Sequence, residues 1–340
     1  MCTRTLYVGA GDLVITGRNM DWKEDMMSNL WALPAGMERD GAAGPRSLRW
    51  TSKYGSVIVS GYDIGTTDGM NQRGLVANLL YLAEADYGVP RKNVPYLCIS
   101  TWCQYVLDLF ATVEEAVTAL AARPFQMLAP ALHDGTPATL HLSISDARGD
   151  SAIFEYVRGE LVIHHGKQYR VMTNSPIYDH QIALNEYWKS IGGLTFLPGT
   201  NRAADRFVRA SFLIDAIPKD VDERYIRGVP QQAFRHQALA SVLSVQRAVS
   251  VPLGISTPNE PNISSTIWRT VSDQKGLLYA FDSATRPNTF WVPLNELALK
   301  PGSPVTKLTL QNGEVYAGNV APHFVPTPIF QFLPGQPPSS

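Results

Sequence analysis

The feature that most constrains the fold is a pair of β-rich segments at the beginning of the chain, residues 3–8 and 13–18. Threonine, valine, tyrosine and isoleucine favour strands, and Gly9-Ala10-Gly11-Asp12 between the segments has the residues of a turn. The pattern predicts an antiparallel hairpin. If the facing ends pair directly across the turn, Cys2 lies opposite Asn19.

Cys2 directly follows the initiator methionine, so removal of Met1 would expose its α-amine. The amine has a pKa of about 8 and the thiol one of about 8.5, so a single residue then holds a nucleophile and a base. Arg18 and Asp21 fall close to Cys2 in this hairpin: a cation lowers the pKa of a thiol, and a carboxylate orients an amine. Residues 18 and 21 face opposite sides of a regular strand, so we expect the strand to end or bulge near Asn19-Met20.

Cys2 alone also fits a surface cysteine followed by an unrelated Arg–Asp pair, but the returning hairpin favours a functional site. Met1-Cys2-Thr3 with Gly17-Arg18-Asn19-Met20-Asp21-Trp22 resembles the opening of the choloylglycine hydrolase family. This family contains bile salt hydrolases and penicillin V acylases and belongs to the N-terminal-nucleophile hydrolases. The resemblance implies an α+β fold, a four-layer αββα sandwich of two stacked antiparallel sheets. It also implies amide hydrolysis by Cys2, Arg18 and Asp21 without a cofactor or metal ion.

Three later motifs extend the resemblance. Asn71-Gln72-Arg73-Gly74-Leu75 is similar to an Asn-x-x-Gly-Leu hairpin of the family, although the family often has Glu-Lys at the middle positions. Thr173-Asn174-Ser175-Pro176 implies that Asn174 donates its amide to the oxyanion of the tetrahedral intermediate. Leu197-Pro198-Gly199 and Arg206-Phe207-Val208-Arg209 imply that Arg206 lies near the thiol. Read without the family, these segments fit an Asn-Ser-Pro turn and a helix-surface ion pair.

The region around Tyr81 bears on the substrate. Bile salt hydrolases of the family place an asparagine at this strand end, where it helps to hold the oxyanion, whereas this chain has Leu80-Tyr81. Penicillin V acylases have a tyrosine in the region, and the short interval from Asn174 to Arg206 resembles members from Gram-negative bacteria. The resemblance therefore favours a small-molecule amide substrate such as penicillin V or an N-acyl homoserine lactone, with conjugated bile salts as the alternative. It also implies a homo-oligomer, a tetramer.

Residues 23–53 lack a clean periodicity and are rich in methionine and tryptophan. Apolar side chains on irregular chain just after a candidate catalytic strand fit the wall of a binding pocket, and methionine suits an adaptable one. We expect Trp22, Met26, Met27 and Trp31 to line an acyl pocket. A loop packed on the core is the alternative.

The rest of the chain alternates strands with two helical blocks. Strands are predicted at residues 55–62, 74–81, 139–145, 151–158, 161–165, 169–173, 265–271, 276–282 and 289–292, and helices at 95–109, 113–123, 178–188, after 206 and at 233–250. Residues 68–71 are predicted to form a turn, and 307–310 and 314–318 a hairpin around Gln311-Asn312-Gly313. We expect one domain over residues 1–325, followed by a Pro-rich tail, 326–340, that is loose or draped over a neighbour.

Composition excludes several classes of protein. The net charge is −1 with 17% charged residues and no basic patch, so nucleic acid is not an expected partner. No apolar run has the length of a membrane span. Cys98 and Cys103 lie in a predicted helix and fit buried thiols better than a disulfide. The seven histidines, His164 and His165 included, lie in no ligand spacing, which argues against a metal hydrolase.

Two further alternatives concern activity and location. A binding module could keep this fold without turnover, but the joint presence of Cys2, Arg18, Asp21, Asn174 and Arg206 argues against it. The protein is cytoplasmic if only Met1 is lost, or periplasmic if a signal peptide preceded Cys2.

Overall fold

The structure, a computed structural model, describes residues 2–91, 93–130, 138–256 and 264–335. Its strands, in chain order, are β1 (Cys2–Gly9), β2 (Leu13–Trp22), β3 (Leu30–Leu33), β4 (Glu38–Asp40), β5 (Arg49–Thr51), β6 (Ser56–Gly61), β7 (Gly65–Asn71), β8 (Val76–Tyr81), β9 (Tyr96–Cys98), β10 (Gln126–Leu128), β11 (Leu140–Ser145), β12 (Ser151–Val157), β13 (Glu160–His165), β14 (Val171–Met172), β15 (Ser265–Asp273), β16 (Leu278–Ser283), β17 (Thr289–Pro293), β18 (Thr306–Leu308), β19 (Gly318–Asn319) and β20 (Val325–Pro326). The helices are α1 (Ile99–Leu109), α2 (Val113–Ala121), α3 (Tyr178–Ile191), α4 (Ala203–Ala216) and α5 (Phe234–Ala248).

Two large sheets stack face to face. The first sheet has the order β14-β1-β2-β15-β16-β17-β19, and the second has the order β13-β12-β11-β8-β7-β6-β3-β18-β20. Neighbouring strands in both sheets are antiparallel, except for the parallel pair β17 and β19. Helices α4 and α5 cover the first sheet, with α3 against α4, and α1 and α2 cover the second. The predicted α+β class and four-layer αββα sandwich are confirmed.

Two apolar cores hold these layers together. The first core joins residues of both sheets to α3, α4 and α5, and it contains Cys2. The second core lies between the second sheet and the helices α1 and α2. Thr112 begins α2 as its N-cap, because its side chain accepts a hydrogen bond from Glu115 N. Cys98 and Cys103 are buried free thiols, as predicted. Among the described residues, no helix is both long and apolar enough to cross a bilayer.

The β1–β2 hairpin forms, but its register differs by one residue from the prediction. Gly9 pairs with Leu13, so Cys2 lies opposite Met20 and not opposite Asn19. The reason is a three-residue 3-10 turn, Ala10–Asp12, in which Gly11 and Asp12 have φ values of 65° and 57°. These left-handed residues let three residues reverse the chain where four were predicted, so Gly9 belongs to β1.

The expected break near residues 19–20 is also wrong. Strand β2 continues to Trp22 in unbroken register with β1. The irregularity lies on the neighbouring strand β15, between Thr266 and Trp268. Arg18 and Asp21 therefore do face opposite sides of the first sheet, and the site is built from both sides.

Residues 68–71, predicted as a turn, belong to strand β7. Asp68-Gly69 has the composition of a turn, but here it lies between β6 and β8 in the middle of the second sheet. The chain reverses directly after β7, where Asn71 Oδ1 accepts hydrogen bonds from Arg73 N and Leu75 N. Gly74 has a φ of 76°, which the turn requires. The Asn-x-x-Gly-Leu motif thus marks the correct turn.

The late hairpin predicted around Gln311-Asn312-Gly313 does not form. Its first arm, β18, pairs with β3 and β20 in the second sheet, whereas β19 pairs with β17 in the first. Asn312 and Gly313 have positive φ values, as turn residues do, but they connect two sheets. The turn residues were therefore predicted correctly, but the two strands expected to pair across the turn belong to different sheets.

The described part of the predicted tail, residues 326–335, lies on this chain itself. Leu333 N donates to Ile64 O at 2.8 Å, and Gly335 N donates to Ala42 O at 2.8 Å. The ring of Phe330 meets Trp31 edge-on, with centroids 5.3 Å apart. Residues 336–340 of the predicted tail lie outside the described residues.

Candidate active site

Cys2 is the first described residue of β1, at the edge of the apolar core between the sheets. It is 3% exposed and lines a cavity of about 130 Å³. Its Sγ lies 3.8 Å from Met20 Sδ and 3.9 Å from Asp21 O. The thiol is thus held by β2 and opens towards a small apolar space. Met1, whose removal is predicted to free the α-amine, lies outside the described residues.

Arg18 approaches the thiol from the side between the two sheets. Its Nη2 lies 3.8 Å from Cys2 Sγ and donates to Leu79 O at 2.8 Å. The guanidinium lies over the Trp268 ring, 4.6 Å from the centroid. Its Nε is 3.9 Å from Asp68 Oδ2, and both side chains are fully buried. The cation is therefore fixed beside the thiol.

The partner of Arg18, Asp68, escaped the sequence analysis because Asp-Gly is a turn signal. Its carboxylate accepts hydrogen bonds from Asn78 Nδ2 at 2.6 Å and from the Tyr279 hydroxyl. Thr270 Oγ1 approaches at 3.3 Å. Burial raises the pKa of Asp68, and the Arg18 charge together with these hydrogen bonds opposes that rise. Asp68 is thus a buried counter-charge that joins the two sheets under Arg18.

Asp21 and Arg206 lie on the opposite face of the first sheet, towards α4. Asp21 Oδ1 accepts from Thr266 Oγ1 at 2.6 Å, and its Oδ2 is 3.5 Å from Arg206 Nη1. Arg206 Nη1 also donates to Cys2 O at 2.6 Å and to Thr3 Oγ1 at 2.5 Å. Burial lowers the pKa of Arg206, and the charges of Asp21 and Cys2 oppose that fall. Arg206 therefore holds the main chain of Cys2, whereas Arg18 contacts its sulfur.

Asn174 follows β14 and meets Cys2 directly. Its Oδ1 accepts from Cys2 N at 2.5 Å and from Arg206 Nη2 at 2.9 Å, and its Nδ2 donates to Tyr81 O at 2.6 Å. The carboxamide is thus oriented by three partners, and one hydrogen of its NH₂ group is already engaged. Donation of the other hydrogen to an oxyanion stays a prediction.

A buried His–Glu pair supports the segment that carries Asn174, and sequence reasoning missed it. His141 Nδ1 lies 2.8 Å from Glu155 Oε1, and His141 Nε2 lies 2.9 Å from Thr173 O. Glu155 Oε2 accepts from Tyr178 N at 2.9 Å. Because Thr173 O is an acceptor only, Nε2 must carry a proton. A second proton must then lie between His141 and Glu155.

The four predicted pocket residues lie in three different places. Trp22 and Met26 line the cavity beside Cys2. Met27 is 50% exposed and lines a different, larger cleft of about 690 Å³. Trp31 is 2% exposed and lies in the core under α1, so it does not line the cavity. Side chains alternate along β3. Leu30 and Ala32 face the first sheet, so Trp31 faces the helices that cover the second sheet.

Metal-ligating side chains do not cluster here. Within the described residues no group of three or more His, Cys, Asp or Glu side chains is arranged to hold an ion. His164 approaches Asp179 and His165 binds Asp150, so the adjacent histidines serve different partners. This agrees with the interpretation of the sequence, in which adjacent residues on a strand point apart.

Comparison with known proteins places the chain in a family. Residues 2–307 match the family of linear amide C–N hydrolases named the choloylglycine hydrolase family. A penicillin V acylase from Pectobacterium atrosepticum is 48% identical over 347 aligned positions, covering 97% of this chain and 92% of that protein. A bile salt hydrolase/transferase from Clostridium perfringens is 30% identical over 251 positions, covering 65% of this chain and 74% of that protein.

A solved structure extends the likeness to the fold. The penicillin V acylase from Agrobacterium tumefaciens superposes with a TM-score of 0.87 at 54% identity, covering 98% of this chain and all of that one. The matched residues include Cys2, Arg18, Asp21, Asn174 and Arg206, which the structure brings together. Cys2 and Arg18 line the cavity, whereas Asn174 and Arg206 contact the main chain of Cys2, and Asp21 lies beside Arg206. The chain therefore belongs to the choloylglycine hydrolase family of linear amide C–N hydrolases.

Proposed function

We propose that this protein cleaves the acyl-amide bond of penicillin V or of similar amides with an uncharged acyl group, with Cys2 as nucleophile. The observation that carries the proposal is the position of the Cys2 thiol, which lies beside Arg18 at a cavity with apolar walls. Among the described residues that line it, Arg18 is the only charged one. Such a space suits an uncharged acyl group. The similarity to two penicillin V acylases supports this substrate.

In the proposed mechanism Cys2 Sγ attacks the amide carbonyl and forms a tetrahedral intermediate. The α-amine of Cys2, free after removal of Met1, takes the thiol proton and passes it to the leaving amine. The C–N bond breaks, and the acyl group remains on sulfur as a thioester. Water, deprotonated by the same amine, then hydrolyses the thioester and regenerates the thiol.

The neighbouring residues have separate proposed roles in these steps. Arg18 favours the thiolate of Cys2. The Nη1 atom of Arg18 is buried and has no hydrogen-bond partner among the described residues. Asp21 and Arg206 hold the main chain of Cys2 and so position its amine. Asn174 accepts from that nitrogen through Oδ1 and offers the second hydrogen of Nδ2, with the Tyr81 region, to the oxyanion.

N-acyl homoserine lactones are a second proposed substrate class, because they also present a neutral acyl chain to the apolar cavity. Each CH₂ buried there contributes about 0.8 kcal/mol. Conjugated bile salts are the alternative, since the clostridial relative is a bile salt hydrolase/transferase. A rigid steroid needs a wider mouth than a cavity of about 130 Å³ provides.

Competition kinetics on penicillin V, a long-chain N-acyl homoserine lactone and glycocholate test the proposal. We expect a higher kcat/KM for one of the first two than for glycocholate. Met26→Ala is expected to lower kcat/KM for the preferred substrate, because Met26 lines the cavity. The adjacent Met27→Ala is the matched control, since Met27 lies outside that cavity. A clear preference for glycocholate contradicts the proposal.

A further inference from the structure

The strongest unassigned feature is the C-terminal segment that contributes a residue to the wall of the Cys2 cavity. We call residues 325–335 the C-terminal strap. It follows the residues that match the family, which end at 307. Its Leu333 lines the same cavity as Cys2, Trp22 and Met26. We propose that the strap forms one wall of the acyl site and that Leu333 is a specificity-determining residue for the size of the acyl group. This inference rests on the proposed function.

The strap is fixed on both sides of the cavity. On one side Leu333 N donates to Ile64 O at 2.8 Å, in the connection between β6 and β7. On the other side Leu333 O accepts from Ser100 Oγ at 2.7 Å and from Cys98 Sγ at 3.2 Å, at the beginning of α1. Ile64 and Ser100 line the cavity too. Both main-chain polar groups of Leu333 are therefore satisfied, so its position is well determined.

Packing on either side of Leu333 holds the rest of the strap. Phe330 meets the buried Trp31 edge-on at 5.3 Å and Phe332 at 4.9 Å. Gly335 N donates to Ala42 O at 2.8 Å. A Cβ at Gly335 would lie 2.9 Å from Leu128 Cβ and 3.4 Å from Cys98 Sγ, so the strap lies in close contact with the small two-stranded sheet of β9 and β10. Trp31 does not line the cavity, but it packs against Phe330 of the strap.

The chemistry of this wall defines the group it recognises. Leu333 shares the cavity with other aliphatic walls, Ile64, Ile99 and Leu140. An aliphatic side chain on a fixed backbone limits the length and width of an acyl group without binding any charge on it. We therefore infer that the strap sets an upper size for neutral acyl groups and does not contact the amine side of the substrate.

The test uses a series of N-acyl p-nitroanilides from acetyl to dodecanoyl, with phenoxyacetyl p-nitroanilide as an additional member. Leu333→Ala opens the cavity, so we expect the optimum of kcat/KM to move to longer chains. Two additional buried methylenes correspond to roughly a tenfold gain in the ratio of long to short substrates. Leu333→Phe is expected to move the optimum to shorter chains.

Two further variants separate the wall from general effects. Gln331→Ala is the matched control, because Gln331 is exposed on the same strap and does not line the cavity. It is expected to keep the wild-type acyl profile. Gly335 does not line the cavity, but Gly335→Ala is expected to displace the strap and so to shift the acyl profile. The melting temperature of this variant is measured to exclude unfolding.

The outcomes distinguish this inference from the proposed function. If the wild-type protein hydrolyses none of the anilides or penicillin V, the proposed function fails. If the wild-type protein is active but Leu333→Ala and Leu333→Phe keep its acyl profile, the strap is not a wall of the site and this inference is overturned. Opposite shifts in the two variants support it.

Discussion

At the scale of single residues, the site depends on which face of the first sheet each side chain occupies. Arg18 and Asp21 are an odd number of residues apart, so they reach Cys2 from opposite sides. Arg18 contacts the sulfur in the space between the sheets, whereas Asp21 lies with Arg206 beside the main chain. This division places a cation at the proposed nucleophile and an ion pair at the proposed base.

The nucleophile is tested by comparing two buried cysteines. Cys2→Ser is expected to keep the fold and to remove nearly all turnover, because a hydroxyl is far less ionised than a thiol. Cys103→Ser is the matched control: Cys103 lies in the other core, where burial raises its pKa and its Sγ donates to Ala77 O. Steady-state kinetics and circular dichroism measure both. Loss of chemistry in Cys103→Ser with activity retained in Cys2→Ser would show that the nucleophile is misassigned.

Removal of Met1 is tested on the same preparations. The proposed base is the α-amine of Cys2, and an attached Met1 would convert it to an amide that cannot take a proton. We expect mass spectrometry of active protein to show Cys2 as the first residue. Full activity with Met1 still attached would end the mechanism as proposed.

The buried counter-charge below Arg18 supports a second residue-scale prediction. Asp68→Asn is expected to lower kcat about 10–100-fold, because Arg18 loses the charge that holds it beside Cys2. Asp108→Asn is the matched control. Asp108 is an equally buried carboxylate paired with an arginine, Arg39, at 3.1 Å, but it lies in the second core. Both variants should lose stability to urea, and an equal loss of kcat in both would contradict a role for Asp68 at the site.

At the scale of secondary-structure elements, the segment that carries Asn174 is held by its neighbours. Strand β14 has only two residues, Val171–Met172, so it contributes little pairing of its own. His141 on β11 and Glu155 on β12 bind the carbonyl of Thr173 and the first turn of α3. Three elements therefore meet at one buried proton-sharing pair next to the site.

Removing a partner from this pair should misplace Asn174. His141→Leu leaves the Glu155 carboxylate and Thr173 O buried without that partner, so we expect it to lower the free energy of unfolding by about 3 kcal/mol. We also expect kcat to fall more than KM rises, because Asn174 is proposed to act on the transition state. His165→Leu is the matched control: its partner Asp150 is bound in a more exposed pair at 2.8 Å. A loss of stability with unchanged kcat would show a structural role only.

At the scale of the whole molecule, polar side chains join the two sheets through an otherwise apolar interface. Arg4 donates to Tyr169 O at 3.1 Å and to Ile144 O of the second sheet at 3.3 Å. Thr16 Oγ1 on the first sheet lies 2.7 Å from Ser145 Oγ on the second. With Arg18 and Asp68, these contacts give the stacking a fixed alignment. The single domain and the homo-oligomer stay predictions, as does the location in cytoplasm or periplasm.

Arg4 tests what such a bridge contributes. Burial lowers its pKa to about 10, so folding places a cation where the charged form is disfavoured. Arg4→Met removes that penalty along with two hydrogen bonds, so we expect the free energy of unfolding at pH 7 to change by less than about 1 kcal/mol. Arg4→Ala is expected to lower it by about 3 kcal/mol, because it leaves a cavity. Urea denaturation measures both.

The pH dependence of Arg4 has a definite sign. Above a pH of about 10 the folded protein loses this proton while the unfolded chain still holds it. The unfolded state then binds more protons, so the stability of the wild type relative to Arg4→Met should rise with pH in that window. A relative fall above pH 10 would contradict the burial of a charged Arg4.

The sequence by itself determined the features that lie within a few residues of one another. Turn chemistry between two β-rich segments predicted the hairpin that brings Arg18 and Asp21 to Cys2. Family motifs singled out Asn174 and Arg206, which are remote in sequence and lie at Cys2 in the structure. Such signals are local, because turns, caps and alternation depend on near neighbours.

Only the tertiary structure decided the features that depend on long-range burial. Two left-handed turn residues, Gly11 and Asp12, shifted the hairpin register by a position, and pairing in the middle of a sheet made Asp68 a strand residue. Trp31 faces the helical layer because β3 alternates between two cores. Leu333 reaches the cavity because the strap crosses both β6–β7 and α1. Which surface a side chain meets is decided by elements far away in sequence, and no local pattern encodes that choice.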